Sequence, residues 1–343
     1  MNDAKRNSHE NENIGVVVIG RNEGQRLRKA IESVIVADID VSVVYVDSGS
    51  SDGSVELAKS FDVVVHALDP EKPFSPSRAR VEGVEQLLSR FPDISFIQFL
   101  DGDCELDPDW MKNAVNYLKS NDDTAVVCGM LDEAFPESSI YNKLSPQRWK
   151  QSTGNINACG GIFVVKRACY NKVGGFKAEL LTREESDLCA RIRSLNYSVV
   201  RLDYPMAKHD SGLITFRQWW SRAVWGGYGD ALSVKADPKN PESKKRLKWY
   251  IFWPFLTPVL IITGIIGMFF TKIWGLLLVF GIIAQGQMFA RNLLGCLRQG
   301  DSISDGILYA FFTALRNFAC GFGFMKSFKQ RNDDLKRPDP HSL

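Results

Sequence analysis

Residues 96–110 read FIQFLDGDCELDPDW, and this stretch decides the fold because it joins a buried strand to a pair of carboxylates. The apolar run FIQFL predicts a strand inside a sheet, and Asp101 and Asp103 follow it with only Gly102 between them. Two negative charges this close are costly unless a cation neutralises them. Mg²⁺ and Mn²⁺ prefer carboxylate oxygens and commonly bind the oxygens of a diphosphate as well. An acidic turn that caps the next helix is the alternative interpretation.

Strands and helices alternate on both sides of this stretch. The β-branched run Gly15–Ile19 predicts a buried strand, and Gln25–Val36 has the apolar spacing of a helix. Repeated units of this kind predict an α/β fold with a mostly parallel sheet and helices on both faces. Further strands are predicted at Val41–Val46, Val63–Val65, Ile94–Leu100, Ala125–Cys128, Ile162–Val165 and Tyr197–Leu202, and further helices at Gly53–Ser60, Ser77–Ser89 and Asp109–Lys119.

Polar residues follow the first two strands, at the sheet edge where such folds bind ligands. The segment GRNEG at 20–24 comes after the first strand, and DSGSSDGS at 47–54 comes after the second. An ordinary strand-to-helix turn also uses Gly, Ser and Asp, so that interpretation stays open. Neither segment has the GKS/T of a P-loop or the glycine pattern of a dinucleotide fold, and Asp47 is placed to accept hydrogen bonds from a ribose or a base.

A third acidic group lies near residue 185. Glu184, Glu185 and Asp187 crowd the first turn of a predicted helix, where the helix dipole favours anions. The alternative is that one of them acts as a general base in the cleft. His209 follows the strand predicted to end at Leu202, and we expect it to be either structural or a nitrogen ligand for the same cation.

The C-terminal third is more apolar than the rest of the chain. Residues 251–270 and 273–290 carry no charge, and each run is long enough to cross a hydrocarbon core of about 30 Å. A buried hairpin of a soluble domain is the alternative. The basic cluster Lys244, Lys245, Arg246 and Lys248 predicts that this side faces the cytoplasm, and the polar first 13 residues lack a secretory signal.

A third apolar stretch, Ile307–Met325, contains Arg316 and Asn317. If it crossed the membrane, the basic tail behind it would lie outside, so we expect a helix that lies in the interface. The predicted organisation is a disordered tail at 1–13, an α/β domain at 14–230, a basic linker at 231–250, a transmembrane hairpin at 251–290, an interfacial amphipathic helix at 303–330 and a polar tail at 331–343.

The overall composition argues against two classes of protein. The chain has 42 Lys and Arg against 40 Asp and Glu, a net charge of +2, which gives no reason to expect a nucleic acid partner. The seven Cys are scattered without a CxxC pair, which argues against a disulfide scaffold and a structural zinc site.

Six motifs occur in an order that resembles a known family. They are GRNEG at 20–24, VDSGSSDGS at 46–54, LDGDCELDPDW at 100–110, CGGIFVVKR at 159–167, REESDLCARIR at 183–193 and HD at 209–210. Together they resemble the inverting family-2 glycosyltransferases with a GT-A fold, over residues 14–230. The segment FRQWWSR at 216–222 and the apolar hairpin are similar to membrane-attached bacterial members. This resemblance implies the inner membrane, with the catalytic domain facing the cytoplasm.

The resemblance implies a role for each motif. It implies a nucleotide-sugar donor, UDP-linked by family habit with GDP and dTDP as alternatives, and a Mn²⁺ or Mg²⁺ ion on Asp101, Asp103 and His209. It implies that Glu185 deprotonates the acceptor hydroxyl, with Glu184 and Asp187 beside it. The residues implied to bind the nucleotide-sugar are Asn22, Glu23, Asp47, Gly49, Ser50, Arg78, Arg80, Asp101, Gly102, Gly160 and Gly161, and those implied to contact the acceptor or the diphosphate are Gln218, Trp219, Trp220 and Arg222.

The activity implied is transfer of one sugar per encounter to a hydroxyl of a cell-envelope or exopolysaccharide glycan or of a lipid-linked acceptor, since two spans are few for a processive synthase. Two alternatives stay open. Transfer to polyprenyl phosphate needs less base catalysis, because that acceptor is already an anion. A catalytically silent membrane scaffold would have broken acidic motifs, and here they are intact. Glu185 stands where the family often has Asp, which leaves Glu184 as a rival base.

Overall fold

The computed structural model describes residues 13–37, 39–145, 152–236, 238 and 241–329. In this part of the chain, one compact unit falls within Met1–Phe135 and Arg148–Ser211, and a second falls within Pro136–Gln147 and Gly212–Leu343. The predicted tail at 331–343, and all of the predicted N-terminal tail except residue 13, lie outside the described residues. The predicted domain end at residue 230 falls inside a helix of the second unit, Phe216–Ala236.

Nine strands in the described part of the chain form one sheet. Its order is β3-β2-β1-β4-β8-β6-β9-β5, and β7 pairs with β9. The strands are β1 (Ile14–Gly20), β2 (Val41–Asp47), β3 (Val64–Ala67), β4 (Phe96–Asp101), β5 (Cys104–Leu106), β6 (Thr124–Glu133), β7 (Gly154–Asn155), β8 (Phe163–Lys166) and β9 (Ser198–His209).

Half of the sheet is parallel, as predicted. A helix connects each of β1, β2 and β3 to the next strand, and the register places Gly20 beside Asp47, and Asp47 beside Ala67, at one edge. The other half is mixed, so the sheet is less parallel than predicted: β6 and β9 pair parallel, whereas β8 runs antiparallel to β4 and β6, and β5 and β7 run antiparallel to β9. The alternation stops after β4 because only Gly102 and Asp103 separate it from β5, which is too few residues for a crossover.

Two strands are longer than their apolar runs predict. β6 continues to Glu133 and β9 continues to His209, and these two residues are register partners in a parallel pair. The extensions are hidden in the sequence because Gly129 and Pro205, which usually break strands, lie at shifts of register around Met130. The longer β9 places His209 on a strand instead of in the loop after it.

Twelve α-helices occur in the described residues, most of them close to their predicted positions. They are α1 (Gln25–Ile35), α2 (Ser54–Lys59), α3 (Pro76–Arg90), α4 (Trp110–Ser120), α5 (Ile140–Lys143), α6 (Arg167–Lys172), α7 (Glu184–Ser194), α8 (Phe216–Ala236), α9 (Pro241–Ile251), α10 (Thr257–Gly267), α11 (Gly275–Arg298) and α12 (Ile303–Lys329). A π-helical turn at Phe252–Leu256 joins α9 to α10.

The strand that leads to the acidic pair is fully buried. Phe99 and Leu100 have no exposed surface, and Phe99 packs against the rings of Phe163 and Phe176. Gln98 is buried as well, and its side-chain oxygen accepts a hydrogen bond from Trp110 Nε1 at 2.8 Å, which satisfies a polar group that would otherwise be costly inside the core. This packing holds the carboxyl end of β4, and therefore Asp101, in a defined place.

In the second unit, α8 and α12 pack backbone to backbone. A Cβ on Gly227 would lie 1.9 Å from the carbonyl oxygen of Cys320, and a Cβ on Gly323 would lie 1.8 Å from that of Val224. Both positions therefore require glycine. Near the other end of α8, the ring of Trp219 packs edge-on to an aromatic ring of α12.

In the described part of the chain, three helical segments are long and apolar enough to cross a membrane. They are Ser243–Gly267, Lys272–Arg298 and Ile303–Phe328. The first two contain most of the predicted runs at 251–270 and 273–290, and the third contains Ile307–Met325. Their lengths and compositions indicate that the chain associates with a membrane.

Candidate active site

The loops that follow β1 and β2 are hydrogen-bonded to each other. The side-chain oxygen of Asn22 accepts from Ser51 N at 2.8 Å, and Asn22 N donates to Ser50 Oγ at 2.9 Å. Asn22 has a φ of 57°, a left-handed conformation that asparagine tolerates better than most residues. Gly24 N also donates to Ser54 Oγ at 3.0 Å. Two residues predicted to bind the donor, Asn22 and Ser50, therefore belong to one connected rim.

Asp47 organises the turn in which it stands. It is 2% exposed, and one carboxylate oxygen accepts from the Tyr45 hydroxyl at 2.8 Å. The other oxygen accepts from Gly49 N at 2.9 Å and from Ser50 N at 2.8 Å. These contacts agree with the ordinary-turn interpretation of this segment, and contact of Asp47 with a ribose or a base stays a prediction.

Arg80 connects the acidic residue after β4 to those on α7. Its side chain is 2% exposed. Nη2 lies 2.9 Å from Asp101 Oδ1, while Nη1 lies 2.6 Å from Glu184 Oε1 and 3.3 Å from Glu185 Oε1. Burial works against the charged guanidinium, but the three carboxylates outweigh it and raise the pKa of Arg80 above its usual value. Arg80 is therefore a permanent cation that holds the two acidic motifs together.

Gly161 packs directly on the pair formed by Arg80 and Asp101. A Cβ at this position would lie 2.6 Å from Arg80 Nη2 and 2.6 Å from Asp101 Oδ2. A Cβ on Gly160 would meet nothing within 4 Å. Gly102 is also confined, since its Cβ would lie 3.1 Å from a carbonyl oxygen at the end of β1. A Cβ at Gly161 therefore fits only if Arg80 and Asp101 move, and one at Gly102 only if its neighbours give by a few tenths of an ångström, whereas Gly160 borders open space.

The acidic residues at the start of α7 have different surroundings. The Glu184 side chain is 5% exposed and bound closely by Arg80, whereas Glu185 is 18% exposed and farther from the same guanidinium. Burial raises the pKa of Glu185 to about 7, against the opposing charge of Arg80. Glu185 can therefore accept a proton near neutral pH. Asp187 forms ion pairs with Lys177 at 3.0 Å and with Arg191 at 2.6 Å.

A second cluster contains the candidate cation ligands. The ligand atoms of Asp103, Cys104 and His209 lie within 4.8 Å of one another, and His209 Nε2 is 3.2 Å from Asp103 Oδ2. A carboxylate oxygen and an imidazole nitrogen are a donor set that fits Mn²⁺ or Mg²⁺. Burial raises the pKa of the Cys104 thiol well above its usual value, so the sulfur stays protonated and donates to Asp103 Oδ1 at 3.2 Å.

Glu133 is a member of this cluster that the sequence does not reveal. Its side chain has no exposed surface, and Oε2 lies 3.7 Å from His209 Nδ1. The other carboxylate oxygen accepts from Ser211 N at 3.2 Å. Burial raises the pKa of Glu133, but the interactions with the neighbouring His209 and Ser211 outweigh this effect and bring the pKa below its usual value. Glu133 is therefore a buried anion on the side of the imidazole away from Asp103.

Glu23 lies in the electrostatic field of the same cluster. Burial and the negative charge of Asp103 raise the pKa of Glu23 to about 8, while Arg26, at 2.8 Å, opposes the rise. Glu23 is predicted to bind the nucleotide-sugar, and the structure places it among the carboxylates near the cation ligands.

Arg78 is occupied by the loop after β3. Its Nε donates to Glu82 Oε1 at 2.7 Å, and Nη1 donates to the carbonyl oxygens of Asp69 at 3.1 Å and Lys72 at 3.0 Å. Residues two apart on a helix point in different directions, so Arg78 and Arg80 cannot share one partner. The structure gives Arg78 a role in shaping this loop, and its contact with a diphosphate stays a prediction.

Gln218, a predicted acceptor contact in the second unit, caps the start of α8. Its side-chain oxygen accepts from Thr215 N at 2.9 Å, and Thr215 Oγ1 accepts from Gln218 N at 3.3 Å. This reciprocal pair is a capping box, which has the sequence signature T-x-x-Q. The signature is present in the sequence and predicts this role for Gln218.

The aromatic residues beside Gln218 divide into a core residue and a surface residue. Trp219 is buried, and its ring packs against Tyr141 and Phe312 at centroid distances of 6.1 and 5.1 Å. Trp220 is half-buried and lines a groove. Arg222, the fourth predicted acceptor contact, is half-buried on the same helix.

The chain is similar to glycosyltransferases in sequence and in structure. The family model "Glycosyl transferase family 2" matches residues 15–172. Glycosyltransferase AglE of Haloferax volcanii is 23% identical over 197 residues, which is 54% of this chain and 63% of AglE, so the match spans less than two thirds of that curated relative.

A solved glycosyltransferase structure shares the architecture. The mannosyltransferase PcManGT from Pyrobaculum calidifontis, in complex with GDP-Man and Mn²⁺, superposes with a TM-score of 0.53 at 17% identity, over 92% of this chain and 86% of PcManGT. Residues 1–349 of S. aureus TarS superpose with a TM-score of 0.46 at 15% identity, over 93% of each chain. The α/β unit has a GT-A fold, and the family-2 glycosyltransferase model matches residues 15–172 within it, so the similarity to this family lies in the α/β unit.

Proposed function

We propose that this chain is a membrane-attached inverting glycosyltransferase that moves a sugar from a UDP-sugar to a hydroxyl of a cell-envelope or exopolysaccharide glycan or of a lipid-linked acceptor. One sugar is transferred in each encounter, with a divalent cation at the donor end. The observation that carries the proposal is the ion-pair cluster around Arg80. This cluster joins Asp101, which belongs to the motif for the donor, to Glu184 and Glu185, which belong to the motif for the acceptor.

At the donor end, Asp101, Asp103 and His209 are the residues that would hold the cation. PcManGT, which has the same fold, is solved with GDP-Man and Mn²⁺. A divalent cation supplies positive charge to the departing nucleoside diphosphate. Glu133 keeps the imidazole of His209 oriented, with Nδ1 toward Glu133 and Nε2 toward Asp103. Carboxylates behind a ligating histidine commonly fix its ring and tautomer in this way.

At the acceptor end, Glu185 takes the proton of the attacking hydroxyl. The hydroxyl oxygen forms a bond to the anomeric carbon on the face opposite the diphosphate, the bond to the diphosphate oxygen breaks, and the configuration inverts. A pKa of about 7 suits a general base at neutral pH. Glu184 binds Arg80 at 2.6 Å and so positions the guanidinium beside the base. The raised pKa of Glu185 favours a hydroxyl acceptor over polyprenyl phosphate, which needs no such base.

Calorimetric titration of the detergent-solubilised chain with UDP, GDP and dTDP, in Mn²⁺ and in EDTA, tests the donor end. We expect micromolar binding of UDP that weakens about tenfold or more in EDTA. Glu185→Gln should keep that affinity and lower turnover by about 10²- to 10⁴-fold. An unchanged rate in Glu185→Gln would favour polyprenyl phosphate as the acceptor. Absence of nucleotide binding in the folded protein would favour the scaffold.

We further propose that α10 and α11 cross the membrane while α12 lies in the interface. The most apolar window of α12 is 44% buried against protein, compared with 28% and 17% for the other two segments. The helix that covers it, α8, carries charged side chains that hydrocarbon does not accommodate. These are Arg217, Arg222, Asp230 and Lys235. Lys235 donates to the carbonyl oxygen of Ser327, so α8 accompanies α12 nearly to its end.

Labelling with a membrane-impermeant maleimide tests this arrangement. The native cysteines in the described residues are buried. We expect Thr271→Cys, in the turn between α10 and α11, to be labelled from outside intact cells. Lys326→Cys, near the end of α12, should be labelled only after the membrane is opened. Labelling of Lys326→Cys from outside would make α12 a third span.

A further inference from the structure

A groove of about 410 Å³ lies at the start of α8 and is lined by Phe216, Arg217 and Trp220. Two of the three residues are aromatic. Phe216 is 46% exposed, and its ring lies 5.7 Å from that of Trp220. Trp219 and Gln218, which stand between them in sequence, face the core and the helix cap respectively. The groove therefore offers an apolar wall with a single polar side chain.

That polar side chain is a cation in an unfavourable place. Arg217 is exposed, and within the described part of the chain it makes no hydrogen bond or ion pair. It also stands in the first turn of a helix, where the helix dipole disfavours positive charge. A bound anion would give Arg217 an ion-pair partner and would offset the unfavourable interaction between its charge and the helix dipole. The planar guanidinium matches a phosphate group in particular.

The groove continues into an apolar surface. Trp220 packs on Phe322 of α12 at a centroid distance of 6.2 Å, and Phe322 is itself 60% exposed. Ile214, just before α8, is also exposed. A ligand that occupies both the groove and the adjoining apolar surface has an anionic head at Arg217 and an apolar chain along the aromatic rings. A glycan fits less well, because one guanidinium offers too few hydrogen-bond partners to orient several hydroxyls.

We propose that this groove binds the phosphate and the first apolar units of a lipid phosphate, and that the acceptor is carried on such a lipid. This inference rests on the proposed function and narrows its acceptor to a lipid-linked one. Arg217 binds the phosphate oxygens, while Phe216 and Trp220 cover the chain next to them. In this proposal Phe216 and Arg217 contact the acceptor lipid together with Trp220, and contact of Gln218 or Trp219 with the acceptor stays a prediction.

Binding of farnesyl phosphate to the full chain in phosphatidylcholine nanodiscs tests the proposal, with farnesol and inorganic phosphate as comparison ligands. We expect farnesyl phosphate to bind about tenfold or more tightly than either comparison ligand. Arg217→Gln and Trp220→Ala should each weaken this binding about tenfold, and Arg217→Lys should recover only part of it. Arg298→Gln, which removes one exposed positive charge at the end of α11, should change nothing.

Equal binding of farnesol and farnesyl phosphate would overturn the proposal, and so would an unaffected Arg217→Gln variant. Binding of inorganic phosphate as tightly as farnesyl phosphate would reduce the groove to a simple anion site and would also overturn it. Titration of the same samples with UDP and Mn²⁺ distinguishes failure of the groove assignment from failure of the proposed function. If UDP binds and farnesyl phosphate does not, the groove assignment fails while the proposed transferase stands. If UDP fails to bind the wild-type protein, the proposed function itself is at fault.

Discussion

Replacement of Gly161 by alanine tests whether the contact between Arg80 and Asp101 matters for catalysis. The new Cβ would lie 2.6 Å from both side chains, and ordinary contact begins at 3.4 Å, so the pair must retreat by about 0.8 Å. A displacement of that size would lengthen the distance from Arg80 Nη2 to Asp101 Oδ1, which is 2.9 Å, to more than about 3.5 Å, and the hydrogen bond would be lost. A hydrogen bond to a charged group contributes about 1.5–3 kcal/mol. If all of it acts on the transition state, turnover falls about 10- to 100-fold.

Gly160→Ala is the matched control, because a Cβ there meets nothing within 4 Å. Steady-state release of UDP reports turnover, and thermal unfolding reports stability. Gly161→Ala should lose about 1–3 kcal/mol of stability through overpacking, whereas Gly160→Ala should stay within about 0.5 kcal/mol of wild type. A Gly161→Ala variant with normal turnover would refute the importance of the contact. Equal losses of stability in the two variants would refute the packing argument.

Four further predictions concern three side chains. Turnover should rise with pH around an apparent pKa of about 7, because Glu185 must be deprotonated to act as a base, and a flat pH–rate profile would exclude it. Folding raises the pKa of Glu185, so the folded state favours the protonated carboxyl. This contribution to stability is fully present below pH 4.5 and is lost as pH rises through about 7. Glu185→Gln, which cannot ionise, should therefore melt at a higher temperature than wild type at pH 8. Glu133→Gln should weaken Mn²⁺ binding, measured by electron paramagnetic resonance, about 10- to 100-fold, whereas the exposed neighbour Asp132→Asn should not; equal effects would assign the loss to general electrostatics. Gln218→Ala should lower the free energy of unfolding by about 0.5–2 kcal/mol without changing turnover per folded molecule, and a selective rise in the acceptor KM would return Gln218 to the acceptor site.

The parallel half of the sheet could be predicted from the sequence because its strands consist almost entirely of apolar residues. β1, β2 and β4 are apolar almost throughout, with Ser42 and Gln98 as the polar exceptions before the strand ends, and the structure moves their predicted ends by no more than two residues. The position of Asp101 follows directly, since a carboxylate that ends a buried strand must lie at the edge of the sheet. The prediction weakens where β6 and β9 extend through Gly129 and Pro205, because local composition there argues against a strand. Pairing of β9 with both β6 and β5 holds the extension in place.

Side-chain partners could be predicted only where they are local. The capping box of Thr215 and Gln218 has a fixed spacing and is visible in the sequence. Arg78 and Arg80 look equivalent in sequence, yet one supports a loop and the other binds three carboxylates, because they stand on different sides of α3. The pairing of Glu133 with His209 depends on a strand register across 76 positions, which no local pattern encodes.

The interlocked glycines Gly227 and Gly323 also determine a sequence of events during biosynthesis. They stand about 100 residues apart, and a ribosome adds about 5–20 residues per second, so α8 is complete roughly 5–20 s before its partner helix exists. During that interval the face of α8 that carries Ala223, Ala231 and Val234 has no covering helix. The nascent chain must shield this face with the bilayer surface or with a chaperone. A truncation intended to yield a soluble enzyme should accordingly end before Phe216, so that it never creates the uncovered helix.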